Sequence, residues 1–431
     1  MLIITLYKRI QMRDLLETLL EEAFIVISEA RKGTPRQYQF PQAPNMIKVA
    51  IGMRRSGKSY FLYQTINGFL DQGVAKEQIL LVNFEDDRLL PMDVKAMGRL
   101  LDAFYSLYPE NHNRLCYLFL DEVQNVKDWH LAVRRYFERK KAQLYLTGSS
   151  AKLLSKEINT ALRGRSLSLE IWPYSFREYL GAHQIKIDSG RPFGQKTFDI
   201  LYQHLLNYFS RGGFPAVQHM PINAWRETLQ GYIDTVILRD IIERYHVTNV
   251  ALLKYLTTTL LKNAATVFSV NKFYNDIKSQ GYKVSKDTIH TYLDYLEDAF
   301  LIFTVPIYSE SERIKQNKPK KIYAIDNGLI NAVSISLNNN HGRLLENLIY
   351  LDFRRQNKSI YFYHTQDGYE IDFVTVDKTG YRELIQVTWD TLEAKTLERE
   401  KRALREAQNE LGIKGRIITA REYLREICTS Y

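Results

Sequence analysis

One stretch limits this chain more than any other: Gly52-Met53-Arg54-Arg55-Ser56-Gly57-Lys58-Ser59, set between the apolar run Met46 to Ile51 and a helical pattern that begins Tyr60-Phe61-Leu62-Tyr63-Gln64. A Gly-x-x-x-x-Gly-Lys-Ser spacing that joins a strand to a helix is that of a phosphate-binding loop. Gly52 and Gly57 permit backbone angles and a closeness of approach that a side chain would prevent. The loop amides and the helix N-terminus direct partial positive charge at a phosphate chain. Gly52, Arg55, Ser56, Gly57, Lys58, Ser59 and Tyr60 are therefore the expected cradle. Lys58 is placed to reach the β and γ phosphates, and the Ser59 hydroxyl is a ligand that Mg²⁺ accepts. ATP and Mg²⁺ are the cofactors this implies.

At 431 residues the chain has room for two to four domains, each with its own core. Its charged fraction of 25% and apolar fraction of 45% are those of a globular protein. The 12% aromatic content argues against disorder. A net charge of +10 suits ATP, nucleic acid or acidic proteins alike. The two cysteines, Cys116 and Cys428, lie far apart, so neither a disulfide framework nor a Cys/His metal spacing is expected, and a reducing cytoplasm is. No apolar run approaches the ~18 residues of a membrane span. The start, MLIITLYKR, puts its apolar residues before its basic ones, the wrong order for a signal peptide. Met12 offers an alternative start, and residues 1–11 are assigned no function.

Residues 12–32 place Leu15, Leu16, Leu19, Leu20, Phe24 and Ile27 at helical spacing, predicting an amphipathic helix packed on the domain after it. A Pro/Gly linker covers 33–44. Short apolar strands at 47–51, 78–84, 117–120, 143–147 and 166–171 then alternate with helices at 58–72, 92–107, 129–140 and 151–158, the pattern of a parallel sheet covered on both faces. Asp121 and Glu122 end one strand at the sheet edge where ligands of open α/β sheets collect. Asp121 could hold Mg²⁺ and Glu122 could polarise an attacking water. The next strand ends in Thr147-Gly148-Ser149-Ser150. A hydroxyl here either reads the γ-phosphate or caps the next helix. Arg165, in Leu162-Arg163-Gly164-Arg165, is either part of a solvated basic loop or an arginine that reaches a neighbouring subunit's ATP.

Residues 175–245 read as mostly helical, with Gly212-Gly213 as a hinge or a plain turn. In YIDTVILRDIIERY, Ile233, Val236, Ile237, Ile241 and Tyr245 form an apolar stripe, with Arg239, Asp240 and Arg244 off it. Residues 250–326 resemble a winged helix-turn-helix, with Ser269 and Ser285 as helix caps and Ser309 to Lys321 as a basic wing carrying Arg313, Lys315, Lys318, Lys320 and Lys321. The helix in the recognition position offers Asp287, Asp294, Glu297 and Asp298 against only Lys286 and His290. Base-reading helices present Arg, Lys, Asn or Gln, so a protein-binding or architectural role is favoured and DNA binding is the alternative. The tail from 330 places Glu346 on a helix, Asp372 on a strand and Gln386-Val387-Thr388 on the next. This order resembles the restriction-endonuclease-like fold, with Thr388 where a catalytic lysine is expected. Loss of that lysine points to a degenerate nuclease domain kept for binding or assembly. Lys395, on the next helix, is a weak substitute.

Taken together, GMRRSGKS, VNFEDDRLL, LFLDEVQNVKDW, LTGSS, LRGR, PYSFREYL, SRGGFPAV, YIDTVILRDIIERY, YAIDNGL, GRLLENLIYLDFRR, YEIDFV and LIQVTW resemble the AAA-type ATPases of bacteria and archaea whose C-terminal region is a domain of unknown function. The resemblance implies a P-loop ATPase core in which Lys58 and Ser59 bind phosphate and Mg²⁺. It makes Asp121 and Glu122 the Walker B pair, Ser149 a sensor-like hydroxyl and Arg165 an arginine acting in trans. The expected fold class is α/β: a parallel AAA-like sheet, a helical lid with a winged helix, and a restriction-endonuclease-like domain. The expected divisions are an N-terminal helix and linker at 1–45, the ATPase core at 46–180, the lid and winged helix at 181–327, and the nuclease-like domain at 328–431. The function this supports is a Mg²⁺-dependent ATP-hydrolysing switch that forms homo-oligomers and meets a protein or DNA partner through the winged helix, away from any membrane. A metal-dependent nuclease on Glu346, Asp372 and Gln386, or a DNA-binding regulator with an accessory ATPase, is the alternative.

Overall fold

Five strands carry the first part of the chain: β1 (Ile47–Ile51), β2 (Ile79–Asn83), β3 (Cys116–Asp121), β4 (Ala142–Gly148) and β5 (Ser166–Glu170). The structure, a computed structural model, describes residues 2–149, 160, 162, 164–186, 193–281, 283–334, 340–389 and 394–429. They form two units that divide between Ile171 and Trp172. Ser150, Arg163 and the helix expected over 151–158 lie outside the described residues.

In the first unit the strands stand in the order β2-β3-β4-β1-β5, every pairing parallel. All of β1 is buried, as a strand covered on both faces must be. Helices Lys58–Asp71, Val94–Leu107 and Trp129–Arg139 connect the strands. Val94–Leu107 turns Met97, Leu100, Leu101 and Phe104 inward, the i, i+3, i+4, i+7 stripe of an amphipathic helix. Asp93 starts it by accepting from the Ala96 amide at 2.6 Å, a cap whose replacement by Ala costs ~1 kcal/mol.

The N-terminal helix, Leu2–Glu29, begins earlier than its sequence pattern suggested and packs as expected. Ile27 shares a core with Leu62, Ile66, Ile79, Leu81, Phe119 and Tyr145. Burying side chains of this size contributes ~1.5–3 kcal/mol each. Asn67 fastens the helix end by donating to Ile27 O at 2.7 Å. The linker is then sewn to the phosphate loop and its helix. Tyr60 donates to Ala30 O at 2.7 Å, Gln64 to Thr34 O at 2.9 Å, and Arg36 to Ser56 O at 2.9 Å.

The second unit opens with helices Phe176–Ala182, Gln195–Arg211 and Ile222–Thr235. Gly212 and Gly213 form a pinned turn. The Gly213 amide donates to Asp326 Oδ2 at 2.5 Å, its carbonyl accepts from the Tyr174 amide at 2.7 Å, and a Cβ on Gly212 would lie 1.9 Å from Asp326 Oδ1. Val236–Ile242 continues the preceding helix as a π-helix. Its i→i+5 turn alters the side-chain period, so Asp240 is buried beside the apolar stripe it was expected to leave.

Next come helix Val250–Lys262, β6 (Thr266–Phe268), helices Val270–Ser279 and Lys286–Asp298, β7 (Ile302–Val305) and β8 (Lys320–Ala324). The strands form an antiparallel sheet in the order β6-β8-β7. Helix, strand, helix, helix, strand, strand is the order expected of a winged helix-turn-helix, and Ser269 and Ser285 cap their helices as read from the sequence. The basic wing needs correction. Residues Glu312–Asn317 form a helix, and β8 draws Lys321 out of the loop into the interior, where it is 1% exposed.

The chain ends with helix His341–Arg355, β9 (Ser359–His364), β10 (Glu370–Val376), β11 (Arg382–Thr388), helix Ala394–Leu411, β12 (Gly415–Thr419) and helix Ala420–Thr429. The sheet order is β12-β11-β10-β9, with β11 and β12 parallel and the other pairs antiparallel. This is the restriction-endonuclease-like arrangement.

Candidate nucleotide-binding site

The loop leaves β1 through Gly52, where φ is +154° and a Cβ would lie 2.2 Å from Ile171 O. Only glycine fits so close to that carbonyl. Arg55 at φ 67° and Gly57 at φ 98° are left-handed, and Gly57 starts the helix Lys58–Asp71. Arg55 lies at the exposed rim, whereas Ser56 is buried. Lys58 Nζ, also buried, donates to Gly52 O at 3.1 Å and Met53 O at 3.3 Å and stands 3.3 Å from Glu122 Oε1. Tyr60, next in the cradle, directs its hydroxyl to Ala30 O, just past the end of the N-terminal helix.

Strand order brings the acidic pair to the loop. β4 lies between β3 and β1, and its Thr147 stands opposite Ala50, the residue before the last of β1. The Thr147 hydroxyl donates to Asp121 Oδ1 and accepts from the Glu122 amide at 2.9 Å. Glu122 is left-handed at φ 52°, a conformation that costs a non-glycine residue of order 1–3 kcal/mol and clusters at functional sites. Gln124 Nε2 holds the other carboxylate oxygen, Glu122 Oε2. Thr147 and Gln124 stand in plain view in LTGSS and LDEVQ, yet sequence reasoning singles out neither.

The two acids are held apart in proton affinity. Burial, and after it the charge of Glu122, push Asp121 up to about 6, against the Ser59 and Thr147 hydroxyls and Lys58. Burial also acts upward on Glu122, but Lys58, Gln124 and Arg54 outweigh it and hold that carboxyl below its ordinary range. Two buried atoms at the site, Asp121 Oδ2 and Ser56 Oγ, make no hydrogen bond of good geometry among the described residues. An enclosed polar atom left in this condition costs about 1–3 kcal/mol. Ser59 and Asp121 therefore offer an all-oxygen donor pair, one carboxylate oxygen unengaged, of the kind Mg²⁺ takes.

Ser149 is buried one residue beyond β4. Arg165 is elsewhere. Its carbonyl accepts from the Ile47 amide at 2.9 Å, where β1 begins, about 13 Å along the strand from the loop at ~3.3 Å per residue. Its guanidinium is exposed and 3.7 Å from Glu138, so it does not serve its own chain's phosphate loop.

The acids of the C-terminal sheet also converge, around a residue read as part of the wing. Lys321 Nζ lies 2.8 Å from Glu346 Oε1, 2.7 Å from Glu370 Oε1 and 2.9 Å from Asp372 Oδ1. Gln386 faces Glu400, donating to its Oε2 at 2.6 Å. Burial and the Asp372 charge push Glu346 up to about 7, against Lys321 and the Tyr323 hydroxyl. Lys395 lies in the first turn of Ala394–Leu411, its side chain outside the described residues.

Comparison with known proteins agrees with this layout. A family described as an AAA domain matches residues 44–180. Domains of unknown function match 202–341 (DUF8612) and 341–427 (DUF4143). An uncharacterised protein of Methanocaldococcus jannaschii is 35% identical over 390 residues, 89% of this chain and 84% of that protein. Another, from Haemophilus influenzae, is 32% identical over 331 residues, 77% of this chain and 79% of that protein. Among solved structures, the Walker-type ATPase of Pyrococcus abyssi is similar at 14% identity and a TM-score of 0.43, covering 70% of this chain and 97% of that one. The Orc1 protein of Aeropyrum pernix, solved in complex with DNA, is similar at 11% identity and a TM-score of 0.30, covering 74% and 91%. Among the described residues no helix is long and apolar enough to cross a membrane.

Proposed function

This chain belongs to the family of those archaeal and bacterial proteins, its AAA domain leading two domains of unknown function, and on that premise we propose that it is a Mg²⁺-dependent ATPase working as a nucleotide-controlled switch. The observation that carries the reading is the buried approach of Lys58 to Glu122 at 3.3 Å, beside Asp121 and at the mouth of the phosphate loop. Lys58 exchanges its loop carbonyls and Glu122 for the β and γ phosphates, which releases the Glu122 carboxylate to orient and deprotonate an attacking water. Gln124 and Thr147 hold that carboxylate and its backbone in place. Mg²⁺, held by Ser59 and Asp121, would supply neutralisation of phosphate charge. Steady-state ATP hydrolysis by Lys58→Ala and Glu122→Gln tests the reading. Each is expected to lose about 10²–10³-fold in turnover, and wild-type rates in both would overturn it.

Self-association belongs to the same proposal. Arg165 is exposed and remote from its own loop, which suits an arginine acting on a second copy. Its long pair with Glu138 is worth about 0–1 kcal/mol, so Arg165→Ala should leave stability nearly unchanged. Turnover per subunit should then rise with protein concentration in the wild type but not in the variant. A monomeric molar mass in solution both with and without a slowly hydrolysed ATP analogue would remove the trans role.

For the winged helix, a protein partner is the reading we favour. Glu297 turns to the Thr304 amide at 2.9 Å and Asp298 accepts from the Tyr245 hydroxyl, so neither faces outward as the sequence suggested. The exposed residues of that helix are then Lys286, Asp287, His290, Thr291 and Asp294, still poor in base-reading side chains. DNA affinity that falls steeply with salt would decide against this reading.

A further inference from the structure

Restriction-endonuclease-like sites hold a divalent cation on acidic side chains, and this chain has the acids. They do not fit a metal. The position expected to carry a lysine is Thr388, on β11. A different lysine, Lys321, enters from β8, a strand outside the four-stranded sheet. Its ammonium contacts Glu346, Glu370 and Asp372 at 2.7–2.9 Å with the side chain 1% exposed. An ammonium has three protons to give; here Glu346 and Asp372 accept hydrogen bonds from it, and Glu370 completes the group as an ion pair.

Further hydrogen bonds tie the cluster to its surroundings. Glu346 Oε1 accepts from the Tyr323 hydroxyl at 2.7 Å, and Asp372 Oδ2 accepts from the Val387 amide at 2.9 Å. Gln386 Oε1 accepts from the Asp372 amide at 3.2 Å while its amide nitrogen is held by Glu400, which Arg399 meets at 2.6 Å. A divalent ion on these acids would have to displace a buried ammonium or stand beside it, and like charges at such a distance repel.

We propose that Lys321 is the resident cation of this cluster, standing where a divalent metal would, so that the C-terminal domain is metal-independent and does not hydrolyse phosphodiesters. The lysine belongs to the winged-helix sheet and the acids to the C-terminal domain. Charge neutralisation therefore joins the two parts of the second unit through one polar core, which a metal ion bound by the acids alone would not do.

The full chain without nucleotide tests this, by Mn²⁺ binding read from its electron paramagnetic resonance signal and by the thermal midpoint. Wild type should bind no Mn²⁺ at the cluster and unfold at one temperature in EDTA and in Mn²⁺. Lys321→Ala should unfold earlier in EDTA, since the buried Glu346 and Asp372 and the part-exposed Glu370 lose their partner. It should regain about 5–10 °C in Mn²⁺ at a hundredfold excess over its dissociation constant. The pair Lys321→Ala, Asp372→Asn should lose that response. If Lys321→Ala recovers no folded protein in EDTA, refolding yield in Mn²⁺ is the readout. Wild-type Mn²⁺ binding that Asp372→Asn abolishes would overturn the proposal. So would a Lys321→Ala protein, folded or not, that is indifferent to Mn²⁺.

Discussion

Among the described residues two buried lysines face carboxylates, and the settings differ in what they leave undone. At the phosphate loop, Lys58 is 3.3 Å from one acid and borrows two backbone carbonyls, while Asp121 Oδ2 and Ser56 Oγ stay enclosed without a good hydrogen bond. In the second unit, Lys321 meets three acids at 2.7–2.9 Å, and the carboxylates it meets take further donors from Tyr323 and the Val387 amide. Buried polar groups left short of partners are costly, so a chain that retains them is poised for something to arrive. A lysine ringed by three acids makes no such demand. The same residue types therefore form a site in one unit and a fastening in the other.

The largest effect that would sharpen this contrast is in stability. Lys321→Ala should cost about 3–5 kcal/mol by denaturant unfolding of the second unit, with ATP turnover within about twofold of wild type. Loss of turnover without loss of stability would reverse the assignment. Next, Glu122→Gln should separate binding from chemistry. A fluorescent ATP analogue should bind within a few-fold of wild-type affinity while turnover falls about 10²–10³-fold, and lost binding would make Glu122 structural.

Thr147→Val removes the donor to Asp121 and the acceptor for the Glu122 amide, and should cost about 1–3 kcal/mol together with turnover. Thr147→Ser should restore both, because it returns the hydroxyl. The effect that is smallest per unit of pH concerns another buried acid. Burial pushes Asp326 up to about 7, against hydrogen bonds from the Gly213, Gly328 and Leu329 amides. Its folded value lies above its unfolded one near 3.8, so between these values the folded state binds more protons and stability falls as pH rises. This slope, at most about 1.4 kcal/mol per pH unit, should be missing from Asp326→Asn across pH 4–7. An unchanged slope would assign the pH dependence elsewhere.

Much of the first unit is legible in the sequence because strong local signals agree with its long-range order. A P-loop between a strand and a helix, succeeded by strands that end in Asp121 and Thr147, leaves few arrangements open. The failures have physical causes. Thr147 and Ser149 are hydroxyl residues two positions apart in one segment, and sequence does not tell which one the neighbouring strand will meet. Only the placement of β4 between β3 and β1 selects Thr147 for Asp121. Lys321 reads as a solvated charge because lysine is almost never fully buried unless paired, and its partners are 25 to 51 positions away. Glu297 and Asp298 read as outward-facing. They sit at the end of their helix, where the chain turns back and Thr304 and Tyr245 come within reach.

The strand order also governs when the phosphate loop can exist during synthesis. β1 pairs with β4 and β5, and the Gln143 side chain that donates to Met46 is 97 positions further on. Gly52 is seated against the carbonyl of Ile171. A chain emerging at ~5–20 residues per second leaves β1 without neighbours for several seconds, its apolar residues exposed. Sheets closed by such distant pairings fold slowly, and this one cannot shape its loop until the last residue of its own unit has left the ribosome. Nascent chains stalled before residue 171 should therefore carry the complete GMRRSGKS sequence and still fail to retain nucleotide.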